Sequence, residues 1–369
     1  MTSLARLRRL WRQVHLWLGV GLLVVLVPIS VTGAILVWHD PIDRALYAQR
    51  YAVTGPTASQ PINVYAQAAE RAFAGRARLT EIRLPQTAGN PVVAVGRLAG
   101  EPGPGGRPRT LNVWIDPPTA RVLDTAEVAK GFSMVLHRVH GTLLIPEVGR
   151  KVVGWLGWAM FASCASGLWL WWPRSGGLLR GLGWQRSPST VFNLHHAVGF
   201  WICLPLAVLS LTGVYISFPQ TSRALFGLPQ PPPRAPDAVR FAPPLEAPRL
   251  SIFEAIELAR SKAPPAMLAQ VRAPTAGKAP TWRVEFKTTA SGDPTTVTVV
   301  DATGKTTVDA RKPGTGGGSD SVSKLVRRIH DGTNMGPVWQ TVIVLGGLAP
   351  AILSVTGVIM WLRRRSARA

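Results

Sequence analysis

Residues 15–36, HLWLGVGLLVVLVPISVTGAIL, and residues 195–216, HHAVGFWICLPLAVLSLTGVYI, share one register: histidine first, glycine four residues later, threonine seventeen residues later. Neither stretch contains a charged side chain. A helix needs about 20 apolar residues to cross a hydrocarbon layer of roughly 30 Å, so each reads as a membrane span. A fixed offset within two apolar segments far apart in the chain is the mark of an internal repeat.

Two further apolar runs complete the pattern, placing spans at 16–38, 152–172, 197–218 and 338–362. Around the second and fourth, HGTLL…CASGLWLWWPR corresponds to HDGTN…SVTGVIMWLRR. His140 precedes Ser166 by twenty-six residues, and His330 precedes Thr356 by the same number. The repeat therefore selects His140 over His137 and His195 over His196. The long connections repeat as well: INVYAQAAERAF followed by LNVWIDPPTARVLDT matches LSIFEAIELARS followed by TVTVVDATGKTTVDA. Each reads as an amphipathic helix and then strands ending in a turn at Asp116 or Asp301. The predicted fold is an α-helical membrane protein, a four-helix bundle made by duplication, with two small α+β domains outside the membrane. These fall at 40–137 and, after a proline-rich linker, within 219–329; residues 173–194 form a short loop between the second and third spans.

Composition agrees with this reading, because 47% of the residues are hydrophobic and only 16% charged. Charge sets the expected orientation. Arg6, Arg8, Arg9 and Arg12 precede the first span, Arg174, Arg180 and Arg186 lie in the short loop, and Arg363, Arg364, Arg365 and Arg368 follow the last. All 19 acidic residues lie in the two long connections. The positive-inside rule then puts both termini and the short loop in the cytoplasm. The net charge of +22 is explained by this topology and by anionic lipid, so nucleic acid is not expected as a partner. The first span has the shape of a signal peptide but lacks a small-residue cleavage site after LVWHDPID, so a retained helix is expected. Cys164 and Cys203 both fall inside spans and form no Cys-x-x-Cys-His motif, which points away from disulfides and from covalent haem.

Ionisable residues at a membrane usually face the interior of the bundle, which makes the histidines the candidate site. A flat haem takes one axial imidazole on each face, and two facing helices can supply them. The register gives His15 with His195 at the cytoplasmic side and His140 with His330 at the outer side. Two pairs imply two non-covalently bound haem b groups. The motifs Ser30-Val31-Thr32-Gly33, Cys164-Ala165-Ser166-Gly167, Ser210-Leu211-Thr212-Gly213 and Ser354-Val355-Thr356-Gly357 put small residues at a fixed depth in every span, read as close helix packing. His39, His137 and His196 lack repeat partners and read as interfacial histidines. Zinc or copper fits less well, because the cytoplasmic pair has no acidic neighbour in sequence.

The motifs HLWLGV with TGAIL, HGTLLIPEVGRKVVGW with SGLWLWWPR, LHHAVGFW with LTGV, and IHDGTNMG with TGVIMWLRR resemble the PepSY-associated transmembrane family of bacterial iron-regulated inner-membrane proteins. The likeness covers nearly the whole chain. It implies PepSY-like modules in the periplasm and, by similarity to di-haem siderophore reductases, His15, His140, His195 and His330 as axial ligands. The implied activity is electron transfer across the inner membrane to a periplasmic ferric siderophore or other iron chelate. The short cytoplasmic loop is too small for a flavin or nicotinamide domain of roughly 100 residues, so a separate donor, a flavoprotein or a quinol, is expected. Two other readings remain at this point: a periplasmic binding or regulatory protein anchored by its spans, and a component of a siderophore or iron transporter suggested by the duplication.

Overall fold

The computed structural model describes residues 3–367 except 104–105, 174–181, 185, 231–236, 238–240, 264, 289–293 and 310–317. Arg174 and Arg180 of the short loop, Arg368, and much of both linkers lie outside the described residues. The chain divides into two compact units, one of residues 1–39, 135–231 and 317–369, the other of residues 40–134 and 232–316.

The first unit is helical. Among the described residues four helices are long and apolar enough to cross a membrane: α1 (Ser3–Leu36), α5 (Gly149–Trp171), α6 (Thr190–Ser217) and α10 (Gly336–Ser366). Their outward faces stay apolar, with Trp17, Val24, Trp155, Trp201, Leu204 and Leu345 all exposed, as expected where lipid rather than water is the solvent. Each of α1, α5, α6 and α10 packs mainly on two neighbours, in the closed order α1, α5, α6, α10. The approach of α10 to α1 is closest at Gly347, where a Cβ would stand 2.7 Å from both the Ser30 carbonyl oxygen and the Ala34 Cβ. Only a glycine lets the two backbones meet there. Two amphipathic helices, α4 (Phe132–Thr142) and α9 (Gly318–Asp331), precede α5 and α10, and a short α7 (Pro219–Leu225) follows α6.

The second unit is α/β. Helices α2 (His39–Leu46) and α3 (Ile62–Phe73) precede strands β1 (Ala77–Arg83), β2 (Val92–Leu98), β3 (Thr110–Ile115) and β4 (Val122–Ala126). Later in the chain α8 (Ile252–Arg260) precedes β5 (Met267–Arg272), β6 (Thr281–Lys287), β7 (Thr295–Val300) and β8 (Thr306–Asp309). Ser251 starts α8 with a capping box, its hydroxyl accepting from the Glu254 amide while the Glu254 carboxylate accepts from the Ser251 amide.

The sequence suggested two small α+β domains; in the structure the strands of both halves share one sheet. All eight strands form one antiparallel sheet in the order β4-β3-β2-β1-β5-β6-β7-β8. The join is β1 against β5, with Glu81 opposite Arg272, Ile82 opposite Val271 and Arg83 opposite Gln270. An isolated four-stranded sheet would leave the β1 edge with unpaired backbone groups, and pairing the two edges removes both. Ile82 and Val271 bury fully at the seam, and the Arg272 guanidinium reaches the Glu81 carboxylate at 3.1 Å. Both helices contribute to one core, in which Tyr65, Phe73, Ala255 and Ile256 pack with Val92, Val113, Val284, Phe286 and Val299.

The two turns picked out in the sequence have equivalent jobs. Asp116, fully buried after β3, accepts from the Thr54 amide at 2.7 Å and the Thr54 hydroxyl at 2.6 Å. Asp301, buried after β7, accepts from the amides of Arg249 and Leu250 at 2.8 and 3.1 Å and from Trp282 Nε1 at 2.9 Å. Each carboxylate ties the segment leading toward a helix to the end of a strand. Burial alone would raise both carboxyl groups, but the hydrogen bonds prevail and hold both below the usual value.

Candidate functional site

The four selected histidines meet in two pairs within the helical unit. The rings of His15 on α1 and His195 on α6 have centroids 6.4 Å apart at 87°. Those of His140 on α4 and His330 on α9 are 5.9 Å apart at 47°. One metal ion held by two opposed imidazoles, each at about 2.0–2.1 Å, puts ring centroids on the order of 6.3 Å apart. The first pair stands at that spacing and the second is slightly closer; His39–His137 at 6.1 Å and His195–His196 at 6.3 Å are as near to it, so the repeat register and the seating of the rings, not the spacing, single out the two pairs. The α1–α6 pair spans a diagonal of the bundle, so its rings face the interior between the two intervening helices.

Along the helices the pairs are far apart. His140 packs on Gly33 and His330 on Gly213, each eighteen residues along the span from His15 and His195 respectively. At 1.5 Å per residue this is about 27 Å, close to the thickness of the hydrocarbon layer.

Each imidazole rests on a glycine of a neighbouring span. A Cβ at Gly33 would stand 2.7 Å from His140 Cε1, one at Gly167 3.1 Å from His15 Cε1, one at Gly213 3.2 Å from His330 Cε1 and one at Gly357 3.6 Å from His195 Cε1. The small-residue motifs that the sequence suggested as helix packing thus seat the histidines. The residue before each of three of these glycines also bonds a ring. His15 Nδ1 lies 3.0 Å from Ser166 Oγ, His195 Nδ1 2.9 Å from Thr356 Oγ1 and His330 Nδ1 2.9 Å from Thr212 Oγ1. His140 Nδ1 instead donates to the Ile29 carbonyl at 2.8 Å. Sequence reasoning used these hydroxyl positions only to fix the register; their side-chain chemistry was the available signal.

At the end of the bundle that holds His15 and His195 a cavity of about 440 Å³ opens beside the pair. That volume is typical of small-molecule sites. Its wall includes Gly19 and Gly199, one turn beyond His15 and His195, and a Cβ at Gly19 would meet no atom within 4 Å. Leu26, Phe200, Leu206 and Met360 make the wall apolar, while Arg12 and Arg364 stand at the rim. Arg8, also on the wall, donates to the carbonyls of Leu170 and Trp172 at 2.9 and 2.7 Å and so closes the end of α5. A planar macrocycle with an apolar body, two carboxylates and a central metal ion suits this donor set. His15 and His195 are the residues that would hold its metal ion, the glycines would leave it room, and Arg12 and Arg364 would meet its carboxylates.

Burial favours the neutral form of both the His140 and the His330 imidazole. Burial lowers His140, and burial with the neighbouring His140 ring lowers His330 to about 4. A neutral ring keeps one nitrogen lone pair available as a ligand.

Of the remaining histidines, His196 lines the same cavity as His15 and His195, its ring centroid 6.3 Å from that of His195. His196 stacks on Phe192 at 3.9 Å, and its Nδ1 donates to the Phe192 carbonyl at 3.2 Å. His39 and His137 pair with each other, ring centroids 6.1 Å apart, a contact the repeat register does not reveal. Among the described residues no three His, Cys, Asp or Glu side chains gather closely enough to cage a metal ion. Cys164 and Cys203 are free and buried.

Comparison with known families matches the model described as PepSY-associated TM region to residues 12–364. No curated protein matches the chain significantly.

Proposed function

The chain belongs to the PepSY-associated transmembrane family, and on that premise we propose that it is a di-haem protein of the bacterial inner membrane. In this reading it passes electrons from a cytoplasmic flavoprotein or a membrane quinol to a periplasmic ferric siderophore or iron chelate, acting as a ferric-siderophore reductase. The observation that supports it is that the four histidines selected by the repeat register meet as two pairs at opposite ends of the spans, each ring seated on a glycine of a neighbouring helix.

His15 and His195 would hold one haem b and His140 and His330 the other. Arg12 and Arg364 at the cavity rim would meet carboxylates of the first. When bound, each group would supply a one-electron couple. The apolar wall of Leu26, Leu206 and Met360 excludes water from the face of the pair. The termini and the 173–194 loop would lie in the cytoplasm, with the sheet-bearing unit in the periplasm. Arg6, Arg9 and Arg12 at one end and Arg363, Arg364 and Arg365 at the other support that orientation. With a negative interior, moving an electron outward is favoured by about 2.3 kcal/mol per 100 mV.

The test uses vesicles holding the purified, haem-loaded protein, a reductant trapped inside, and a ferric chelate with a ferrous-specific dye outside. The proposal expects ferrous iron to appear outside, and His15→Ala and His140→Ala each to abolish it. Ferrous production no faster than in protein-free vesicles contradicts electron transfer.

A further inference from the structure

We infer that Ser166, Thr212 and Thr356 are positioning residues that set the tautomer and aim of three of the paired imidazoles, a role that rests on the di-haem reading. The proton count on each hydroxyl carries the argument. Ser166 Oγ donates its single hydrogen to the Ser163 carbonyl at 3.0 Å. Thr212 Oγ1 donates to the carbonyls of Val208 and Leu209 at 2.8 and 3.0 Å, and Thr356 Oγ1 to those of Ile352 and Leu353 at 2.8 and 3.1 Å. With its hydrogen committed to its own helix, each oxygen can only accept from the imidazole. The ring nitrogen facing it, Nδ1, must then carry a proton. Nε2 keeps the lone pair and is the ligating atom.

The bonds cross between helices in a regular way. A histidine of α1 is held by α5, one of α6 by α10, and one of α9 by α6. Each ring is therefore fixed at Nδ1 by one helix while its own helix supplies the Cα. At Gly167 and Gly213, which follow Ser166 and Thr212, a Cβ would crowd the ring at 3.1 and 3.2 Å, whereas at Gly357 it would make an ordinary contact at 3.6 Å. An acceptor at Nδ1–H makes a ligating imidazole more electron-rich and favours the oxidised metal.

The fourth member differs, and the difference supplies an internal control. Thr32 occupies the matching position on α1, yet its hydroxyl donates to the carbonyls of Pro28 and Ile29 at 2.6 and 3.0 Å, and His140 Nδ1 donates to the Ile29 carbonyl itself. A carbonyl can only accept, so the tautomer is the same. No side-chain substitution at Thr32 removes that acceptor. The carbonyls of Ser163, Leu353 and Leu209 also face the rings of His15, His195 and His330, so His140 differs in resting on its carbonyl alone, while the other three rings have a hydroxyl oxygen as well.

The experiment measures the midpoint potential and low-spin electron-spin-resonance g-values of each haem in the purified full chain. Thr356→Val removes the hydroxyl acceptor, leaving the Leu353 carbonyl, with little change of shape. It should favour the reduced form of the haem held by His15 and His195 about tenfold, about 59 mV upward for one electron, and leave the other haem unchanged. Ser166→Ala should act on that same haem, and Thr212→Val on the haem held by His140 and His330. Thr356→Ser should restore the wild-type values, and Thr32→Val should shift nothing. Unchanged potentials in Thr356→Val and Thr212→Val, or a shift in Thr32→Val as large as in Thr212→Val, would overturn the inference while leaving the di-haem reading intact. If the wild type binds no haem, that reading fails instead, and the positioning role is decided on the protein alone. Nitrogen-15 spectra of labelled histidines should then show four Nδ1–H tautomers, and Nε2–H at the three hydroxyl-held rings overturns it.

Discussion

Adding one methyl group at each of the four glycines beneath the histidines gives a graded test of the seating geometry. In Gly33→Ala the new Cβ falls 2.7 Å from His140 Cε1 and 2.9 Å from Nδ1. Non-bonded carbon atoms settle at about 3.5–4.0 Å, so the ring must retreat by about 0.8 Å. A retreat of that size would lengthen the 2.8 Å bond to the Ile29 carbonyl past the range of a hydrogen bond. Overpacking costs about 1–3 kcal/mol and the stranded polar group about 1–3 kcal/mol, offset by about 0.8–1.0 kcal/mol of helix propensity gained over glycine. The net loss is about 3 kcal/mol. Gly357→Ala places its Cβ at 3.6 Å, an ordinary contact, and should keep only the gain in propensity. Gly167→Ala and Gly213→Ala, at 3.1 and 3.2 Å, fall between. Thermal unfolding of the detergent-solubilised chain, followed by tryptophan fluorescence, should rank the variants Gly357→Ala, then Gly167→Ala and Gly213→Ala together, then Gly33→Ala as least stable. A Gly33→Ala protein as stable as Gly357→Ala would refute the account of how these rings are held.

Three further outcomes are expected. Gly347→Val should destabilise the bundle by at least about 2 kcal/mol, because its side chain enters the contact with Ser30 and Ala34; a mid-point equal to that of wild type in the same melt would show that α1 and α10 do not meet there. Gly19→Leu should fill the cavity beside His15 and lower haem content from two to one, leaving the spectrum of the haem held by His140 and His330 in place; full retention of both would move the site elsewhere. Asp116 and Asp301 have lowered folded-state values, so their contribution is present above the ordinary carboxylate value near 3.8 and is lost as pH falls through the lowered ones. Stability of the α/β unit should therefore hold from pH 7 to 5 and drop below about pH 4, and Asp116→Asn with Asp301→Asn should flatten that drop in circular-dichroism melts.

Much of the helical unit is legible in the sequence because apolar length and repeat register both act along the chain. The offsets from His15 to Thr32 and from His140 to Ser166 pick out the residues that meet. What the register does not hold is contact between elements distant in sequence. The seam of β1 with β5 depends on two edge strands nearly 190 residues apart, and no local pattern marks Glu81 and Arg272 as partners. His39 and His137 are missed for a related reason: neither has a counterpart in the other half, so a repeat-based reading passes over their contact. The hydroxyl of Thr356 is visible as a small polar residue at a fixed depth, but whether it packs or accepts a hydrogen bond is decided by a ring arriving from another helix.

The central claim, two bis-histidine haems in one chain, is tested most directly by counting haem in the purified full-length protein with a pyridine haemochrome assay. The account predicts two haem b per chain, with split low-spin α and β bands on reduction, and one per chain in His195→Ala or in His330→Ala. Protein that stays colourless after expression with added haem, or a His195→Ala variant that keeps both groups, would contradict it.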